Sequence, residues 1–219
     1  MPVTSLVNYP KATGIFYITL NSHADHAPTK VTRNGKIWEK KLYDQYKKIL
    51  KPNDIAIDVG GYIGSHTLPM SRFCSEVYVF EPNADLFQVI NSNIELNKFQ
   101  NIKSYNIALG KSNEDVDFYE RENGTSRIAK KNILGNKKQI KTQSLDQFLD
   151  VPHCKLIKID VEGHEYSVLE GAKQFIEKHQ PYILIETFKS KRPKLNEWCI
   201  ENNYDSTWLR GDDFLLSPP

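Results

Sequence analysis

Two groups of residues have the types and spacing to do chemistry. The first is Asp58-Val59-Gly60-Gly61-Tyr62-Ile63-Gly64, followed by Glu81. Glycines directly after a short apolar run let a backbone approach a ligand without a Cβ in the way. An acid about 20 residues further on can accept both hydrogen bonds of a ribose 2′,3′-diol. The dinucleotide fingerprint would need glycine at position 62, where this chain has Tyr62, so a pyrophosphate is poorly accommodated. A ligand with a ribose and an adenine but no phosphate resolves the mismatch, and S-adenosylmethionine is that ligand. Its ammonium and sulfonium charges also suit Asp58 better than phosphates would. Asp58, Gly60, Tyr62, Gly64 and Glu81 are therefore candidate cofactor-binding residues.

The second group is Asp160, Glu162, His164 and Glu165, with Glu186 at the end of a later apolar run. Methyl transfer to an alcohol is an in-line displacement at carbon, and a sulfonium already makes the methyl group electrophilic. Alignment and deprotonation of the hydroxyl remain. His164 titrates near neutrality and can be the base. Asp160 and Glu186 offer hard oxygen ligands suited to Mg²⁺ or another divalent cation, which would lower the hydroxyl's pKa. Side chains alternate along a strand, so Asp160 and Glu162 share a face if the strand runs that far, and Gly163 permits a turn. The catalytic candidates are Asp160, Glu162, His164 and Glu186, and the metal candidates Asp160 and Glu186. Glu165 favours the positive N-terminal end of the next helix. His66 is either packed or turned towards the cofactor. His23 and His26 are turn residues or substrate contacts, and Trp38, Tyr43 and Tyr46 are helical core or a sugar-stacking wall.

These residues need a frame in which strand ends converge. Strands are expected at 55–59, 77–80, 102–107, 155–161 and 182–186. Helices are expected at 63–73, 84–97 (capped by Asn83), 144–149, 166–179 and 195–202. Alternation of this kind makes a parallel sheet covered by helices on both faces. Residues 204–209 and 213–216 read as an antiparallel hairpin. Residues 115–119 and 139–142 read as edge strands around a polar loop, 122–138, whose Lys130, Lys131, Lys137 and Lys138 make a solvated charge run. Residues 1–50 read as a hairpin plus helix, with a strand at 15–20, an Asn34-Gly35 turn signal and a helix over 37–50 stopped by Pro52. They form a candidate substrate cap on a main domain spanning 51–219.

Composition narrows the function classes. The chain has 219 residues, and 29 Lys+Arg against 27 Asp+Glu leave a net charge of +2, without the basic excess of a nucleic-acid binder. With 39% hydrophobic residues, it has enough apolar surface to fold. Cys74, Cys154 and Cys199 are odd in number and widely spaced, which suits reduced core thiols rather than a zinc site or a disulfide framework. No secretory signal or membrane-length apolar run is present, so the expectation is a cytoplasmic protein, or one domain of a longer polypeptide.

Taken in order, Asp58–Gly64, Phe80-Glu81-Pro82-Asn83, Asn106-Ile107-Ala108-Leu109-Gly110, Lys158–Glu165 and Val168-Leu169-Glu170-Gly171-Ala172 resemble the successive motifs of FkbM-type methyltransferases. The resemblance covers about residues 54–186. It implies a class I S-adenosylmethionine-dependent fold: a Rossmann-like α/β architecture with a seven-stranded, mostly parallel sheet whose final hairpin inserts one antiparallel strand. It adds Asn83, Asn106 and Ala108 to the cofactor-binding candidates. It further implies O-methylation, often of a hydroxyl on a sugar or glycosylated natural product. The alternatives are RNA or another small-molecule hydroxyl as acceptor, or a non-catalytic cofactor-binding domain. Metal-dependent sugar methyltransferases carry acidic ligands at the ends of the corresponding two strands. Here Glu186 is followed by Thr187, so a second adjacent carboxylate is missing.

Overall fold

The computed structural model describes residues 4–8, 14–20, 26–33, 36–121, 126–128 and 135–219. In chain order the elements are β1 (Thr4–Asn8), β2 (Phe16–Leu20), α1 (Ala27–Arg33), α2 (Lys40–Ile49), β3 (Ile55–Val59), α3 (Thr67–Met70), β4 (Glu76–Phe80), α4 (Ala84–Leu96) and β5 (Ile102–Tyr105). The middle holds β6 (Ala108–Leu109), β7 (Asp115–Glu120), β8 (Arg127–Ile128) and β9 (Asn136–Gln143). Then come β10 (Cys154–Ile159), α5 (Glu165–Glu170), α6 (Lys173–His179), β11 (Tyr182–Glu186), α7 (Arg192–Asn202), β12 (Asp205–Arg210) and β13 (Asp213–Ser217).

The main sheet has the order β12-β13-β11-β10-β3-β4-β5. Its strands are parallel except β13, which runs antiparallel to both neighbours, as the resemblance implies. The central strands are apolar because both faces are covered. Ile57, Ile157, Ile183 and Ile185 feed one core, and Ala56, Leu156 and Leu184 feed the other, which is sealed by Leu42, Tyr46 and Ile49 of α2. By the same alternation Asp58, Lys158, Asp160 and Glu186 continue the face that α2 covers. Charges on that face lie at the strands' C-terminal ends, where parallel sheets open a crevice.

Several boundaries differ from the sequence expectation. The helix expected from Ile63 starts only at Thr67, because Tyr62 (φ 52°) and Gly64 (φ 83°) hold left-handed backbone that no α-helix can include. The helix expected over 166–179 breaks into α5 and α6. The Gly171 carbonyl leaves the helical ladder to accept from Asp146 N and Ser144 Oγ. A Cβ at Gly171 would also sit 1.9 Å from the Gly110 carbonyl oxygen. β10 stops at Ile159, ahead of the left-handed Glu162 (φ 55°). The helix expected at 144–149 is a 3₁₀ turn, Leu145–Phe148. Residues 102–107 divide into β5 and the separate β6, which pairs with β9.

The Asn34-Gly35 signal lies outside the described residues. The amino-terminal hairpin is β1–β2, and residues 27–33 form a helix. β2 is held on the domain by two asparagines that mimic a strand edge, Asn93 of α4 and Asn97, which caps its C-terminal end. Asn93 Oδ1 accepts from Ile18 N at 2.5 Å while its Nδ2 donates to the Ile18 carbonyl at 3.0 Å. Asn97 brackets Phe16 in the same way, at 2.7 and 2.6 Å. Lys130 and Lys131 also lie outside the described residues, whereas Lys137 and Lys138 pair with Asp117 and Glu120 across β7 and β9. Cys74, Cys154 and Cys199 are buried and free. Among the described residues no helix is long and apolar enough to cross a membrane.

Candidate active site

One cavity lies over the crests of β3, β4, β10 and β11. Its floor is Gly60, Glu81, Lys158, Asp160, Glu162, His164 and Glu186. Phe80, Pro82, Leu86, Ile107, Ala108, Leu109 and Phe118 make an apolar flank. The amino-terminal residues His26, Pro28, Trp38 and Glu39 face the floor, with Ser126, Arg127 and Ile128 of the β8 segment at the rim.

The glycine loop is built by the fold as much as for a ligand. A Cβ on Gly60 (φ 89°) would lie 1.9 Å from the Asp160 carbonyl oxygen, and one on Gly61 would lie 2.4 Å from Val79 Cγ2. The missing side chains let β3 run into its turn against β10 and β4. Left-handed Tyr62 aims its N–H back at Glu81, whose Oε2 accepts it at 2.9 Å while Oε1 accepts Asn83 N at 2.9 Å. Glu81 is 6% exposed, and burial pushes its carboxyl up to about 7 against those two hydrogen bonds.

Of the proposed cofactor residues, Gly60, Tyr62, Glu81 and Ala108 line the cavity, and the other four stand behind it. Asp58 is wholly buried; Oδ2 accepts from Thr67 Oγ1 at 2.6 Å and Oδ1 lies 3.5 Å from Lys158 Nζ. Gly64 turns the chain towards α3, and Asn83 caps α4 by accepting from Asp85 N and Leu86 N. Asn106 Nδ2 donates to the carbonyls of Glu81 and Pro82, which fixes the segment that carries Glu81.

The second group converges. Asp160, Glu162 and Glu186 each place one carboxylate oxygen within 4.8 Å of the others, and His164 stands in the same wall. Lys158 Nζ sits 3.3 Å from Asp160 Oδ2. Burial works to raise the Asp160 carboxyl, but the Lys158 ammonium and a hydrogen bond from Glu186 override it and leave the group below its ordinary value. Glu186 is pushed well up, by burial and then by the Asp160 charge. In this pair, therefore, Asp160 is the ionised partner and Glu186 holds the proton. Burial and the Asp160 charge also raise Glu162, to about 7. Glu165, expected at the head of α5, is there and 1% exposed; its Oε1 accepts from Gly163 N at 2.5 Å.

Sequence reasoning gave no role to Lys158 or Glu39. Lys158 had a signal: a lysine inside a strand covered on both faces must be paired to remain there. Glu39 had none, because its place depends on a left-handed turn (φ 45°) ahead of α2. It lies 3.2 Å from His66 Nε2 and 3.7 Å from Arg210, and His66 Nδ1 is 2.8 Å from the Tyr46 hydroxyl. Tyr43 packs edge-on against Phe73, whereas Trp38 lines the cavity and His26 meets Tyr62 edge-on at 4.9 Å. His23 lies outside the described residues.

The family model for the methyltransferase FkbM domain matches residues 58–204. The hexuronic acid methyltransferase AglP of Haloferax volcanii is 29% identical over 174 residues, spanning 75% of this chain and 70% of that protein. The structure of methyltransferase FkbM from Methylobacillus flagellatus superposes with a TM-score of 0.59 at 16% identity, over 80% of this chain and 50% of that one. This chain thus spans about half the length of the Methylobacillus protein. SMU.1697c of Streptococcus mutans, solved in complex with SAH, gives 0.53 at 11% identity, over 81% and 94%. At these identities the two structures are likenesses of fold.

Proposed function

The chain belongs to the methyltransferase FkbM domain family, and on that premise we propose that it moves a methyl group from S-adenosylmethionine to a carbohydrate hydroxyl. The observation that carries this reading is the convergence of Glu81 and the Asp160–Glu162–Glu186 carboxylates on one cavity. The cofactor fits the residues present. Each Glu81 oxygen already accepts one backbone N–H and keeps a lone pair for a ribose hydroxyl. The apolar flank from Phe80 to Phe118 suits an adenine. When bound, the cofactor supplies an electrophilic methyl group on a cationic sulfur.

The chain's own residues do the rest. Asp160, held ionised beside Lys158, accepts a hydrogen bond from the acceptor hydroxyl and orients it. Glu162, near pH 7 in its titration, takes the proton as the oxygen–methyl bond forms and the sulfur–methyl bond breaks. His164 is the alternative base in the same wall. A divalent cation would use one oxygen from each of Asp160, Glu162 and Glu186, and it could bind only after displacing the Glu186 proton. The amino-terminal segment, through Trp38 and His26, covers the acceptor side. The hexuronic acid activity of the Haloferax relative supports a sugar acceptor.

Calorimetry of the pure protein with S-adenosylmethionine, followed by methyl-label transfer to a panel of sugars, tests the reading. Absence of binding at millimolar cofactor sinks it. Binding without transfer to any sugar would move the chain to the non-catalytic class.

A further inference from the structure

We propose that Arg127 reads an anionic group on the acceptor, so that the preferred substrate is an acidic sugar rather than a neutral one. This rests on the methyltransferase reading above and narrows it. β8 is two residues long and lies on β7 with Tyr119 opposite Arg127 and Phe118 opposite Ile128. Its approach is pinned by Ser126, whose Oγ accepts from Arg121 N at 2.9 Å and donates to the Arg121 carbonyl at 3.4 Å. Arg127 is consequently half-buried at the cavity rim, on a fixed strand.

Among the described residues its guanidinium closes no ion pair, although its charge is felt by Glu162 across the cavity. The neighbouring acids of this small sheet are taken: Asp117 pairs with Lys137 at 2.8 Å and Glu120 with Lys138 at 2.7 Å. Among the described residues no carboxylate lies within ion-pair distance of Arg127. A cation that is half-desolvated and left without a partner is costly, unless something that arrives later supplies the anion. The guanidinium is a planar fork that matches a carboxylate or phosphate with two parallel hydrogen bonds. The cavity floor, by contrast, holds the ionised Asp160, which repels an anion brought close to it, so an acceptor's negative charge is better placed at this rim. An acidic sugar is thereby held in one orientation, with its anion on Arg127 and a hydroxyl over the carboxylates.

The test uses glucose, D-glucuronate and glucose 6-phosphate, which differ only at one carbon, with binding read by saturation-transfer NMR on protein with and without SAH. The expected result is that glucuronate, glucose 6-phosphate or both bind at least about tenfold tighter than glucose, the worth of one charge-assisted contact. Arg127→Gln should bring the anions down to the level of glucose, and Arg127→Lys should restore part of the difference. The stronger of the two anions identifies the group that Arg127 takes. Equal binding of glucose and both anions to the wild type, or an anion preference untouched in Arg127→Gln, overturns the proposal. Methyl transfer to glucose as fast as to both anions overturns it while sparing the methyltransferase reading. Anion-selective binding with no transfer to any acceptor does the reverse.

Discussion

Lys158→Met tests the electrostatic design of the strand crests most directly. Asp58 is fully buried, and Lys158 Nζ, 3.5 Å from Oδ1, is the cation beside it. At that separation and an effective dielectric near 20 the pair attracts by about 5 kcal/mol. The variant need not forfeit all of this, because Asp160, which the Lys158 ammonium holds below its ordinary value, can take up a proton once that charge is gone. For an ordinary aspartate that costs about 4 kcal/mol at pH 7 and about 1.5 kcal/mol at pH 5, roughly 1.4 per pH unit. The expected loss on urea unfolding is therefore about 3–4 kcal/mol at pH 7, within the range for breaking a buried pair, and it should shrink steadily towards pH 5. The sign follows from linkage: lost pairing frees the folded carboxyls to bind protons at higher pH, so acid restores what the variant lost. Asp58→Asn on top of Lys158→Met should recover most of the deficit. A deficit that is flat with pH, or a double variant as unstable as the single one, would refute the argument that Lys158 is present to neutralise buried acids.

Gly60→Ala should cost over about 3 kcal/mol, since its Cβ meets the Asp160 backbone at 1.9 Å. Gly64→Ala, whose nearest neighbour is the movable Leu68 Cδ1, should cost about 1–2; urea midpoints separate the two. Glu81, Glu162 and Asp213 all have folded carboxyls raised to about 7, chiefly by burial. Their contribution to stability is complete below the ordinary carboxylate range and is lost as pH rises through 7. Asp160 and Glu39 are lowered and act oppositely, withdrawing stability only in strong acid. The ligand-free protein should accordingly melt highest at about pH 4, and a melting temperature that climbs steadily to pH 8 would contradict this. Glu186→Gln should stay within about 1 kcal/mol of the wild type, because the amide reproduces a protonated carboxyl. Asp160→Asn should keep the fold and slow methyl transfer by about 100-fold or more, and retained turnover would remove Asp160 from the proposed chemistry.

Legibility tracked how local the physical cause was. β11 is found at the residues expected, 182–186, because an apolar β-branched run behind Pro181 has one cheap conformation. Asn83 as a cap is equally local: its side chain bonds the next two free N–H groups. The interruptions were not local. The late start of α3 arises from the left-handed backbone at Tyr62 and Gly64, and the break at Gly171 from the Gly110 backbone passing so close that no Cβ fits; a single sequence carries no record of either. The site divides along the same line. Asp160 and Glu186 were found because parallel order brings the ends of β10 and β11 together, whereas Glu162 joins them from the left-handed turn that follows β10 and not by strand alternation. Glu39 and Arg127 arrive from segments whose placement depends on long-range packing.

The depth of the charges also separates two tasks that the sequence presents as one acidic motif. Asp58 is wholly enclosed, tied to Thr67 and Lys158, so it acts on the cavity as a fixed charge, helping to raise Glu81, and not as a contact. Asp160 keeps 35% of its side chain open, which makes it the carboxylate an incoming hydroxyl can touch. Lys158 lies between the two and cannot be neutralised without stranding both. That arrangement holds one accessible carboxylate ionised next to two others that are pushed towards protonation. Three fully solvated acids would all be ionised near neutrality and would leave no carboxyl poised to take up a proton there. The buried lysine enforces the asymmetry, and with it gives the proposed deprotonation a direction, from the hydroxyl that Asp160 orients towards Glu162.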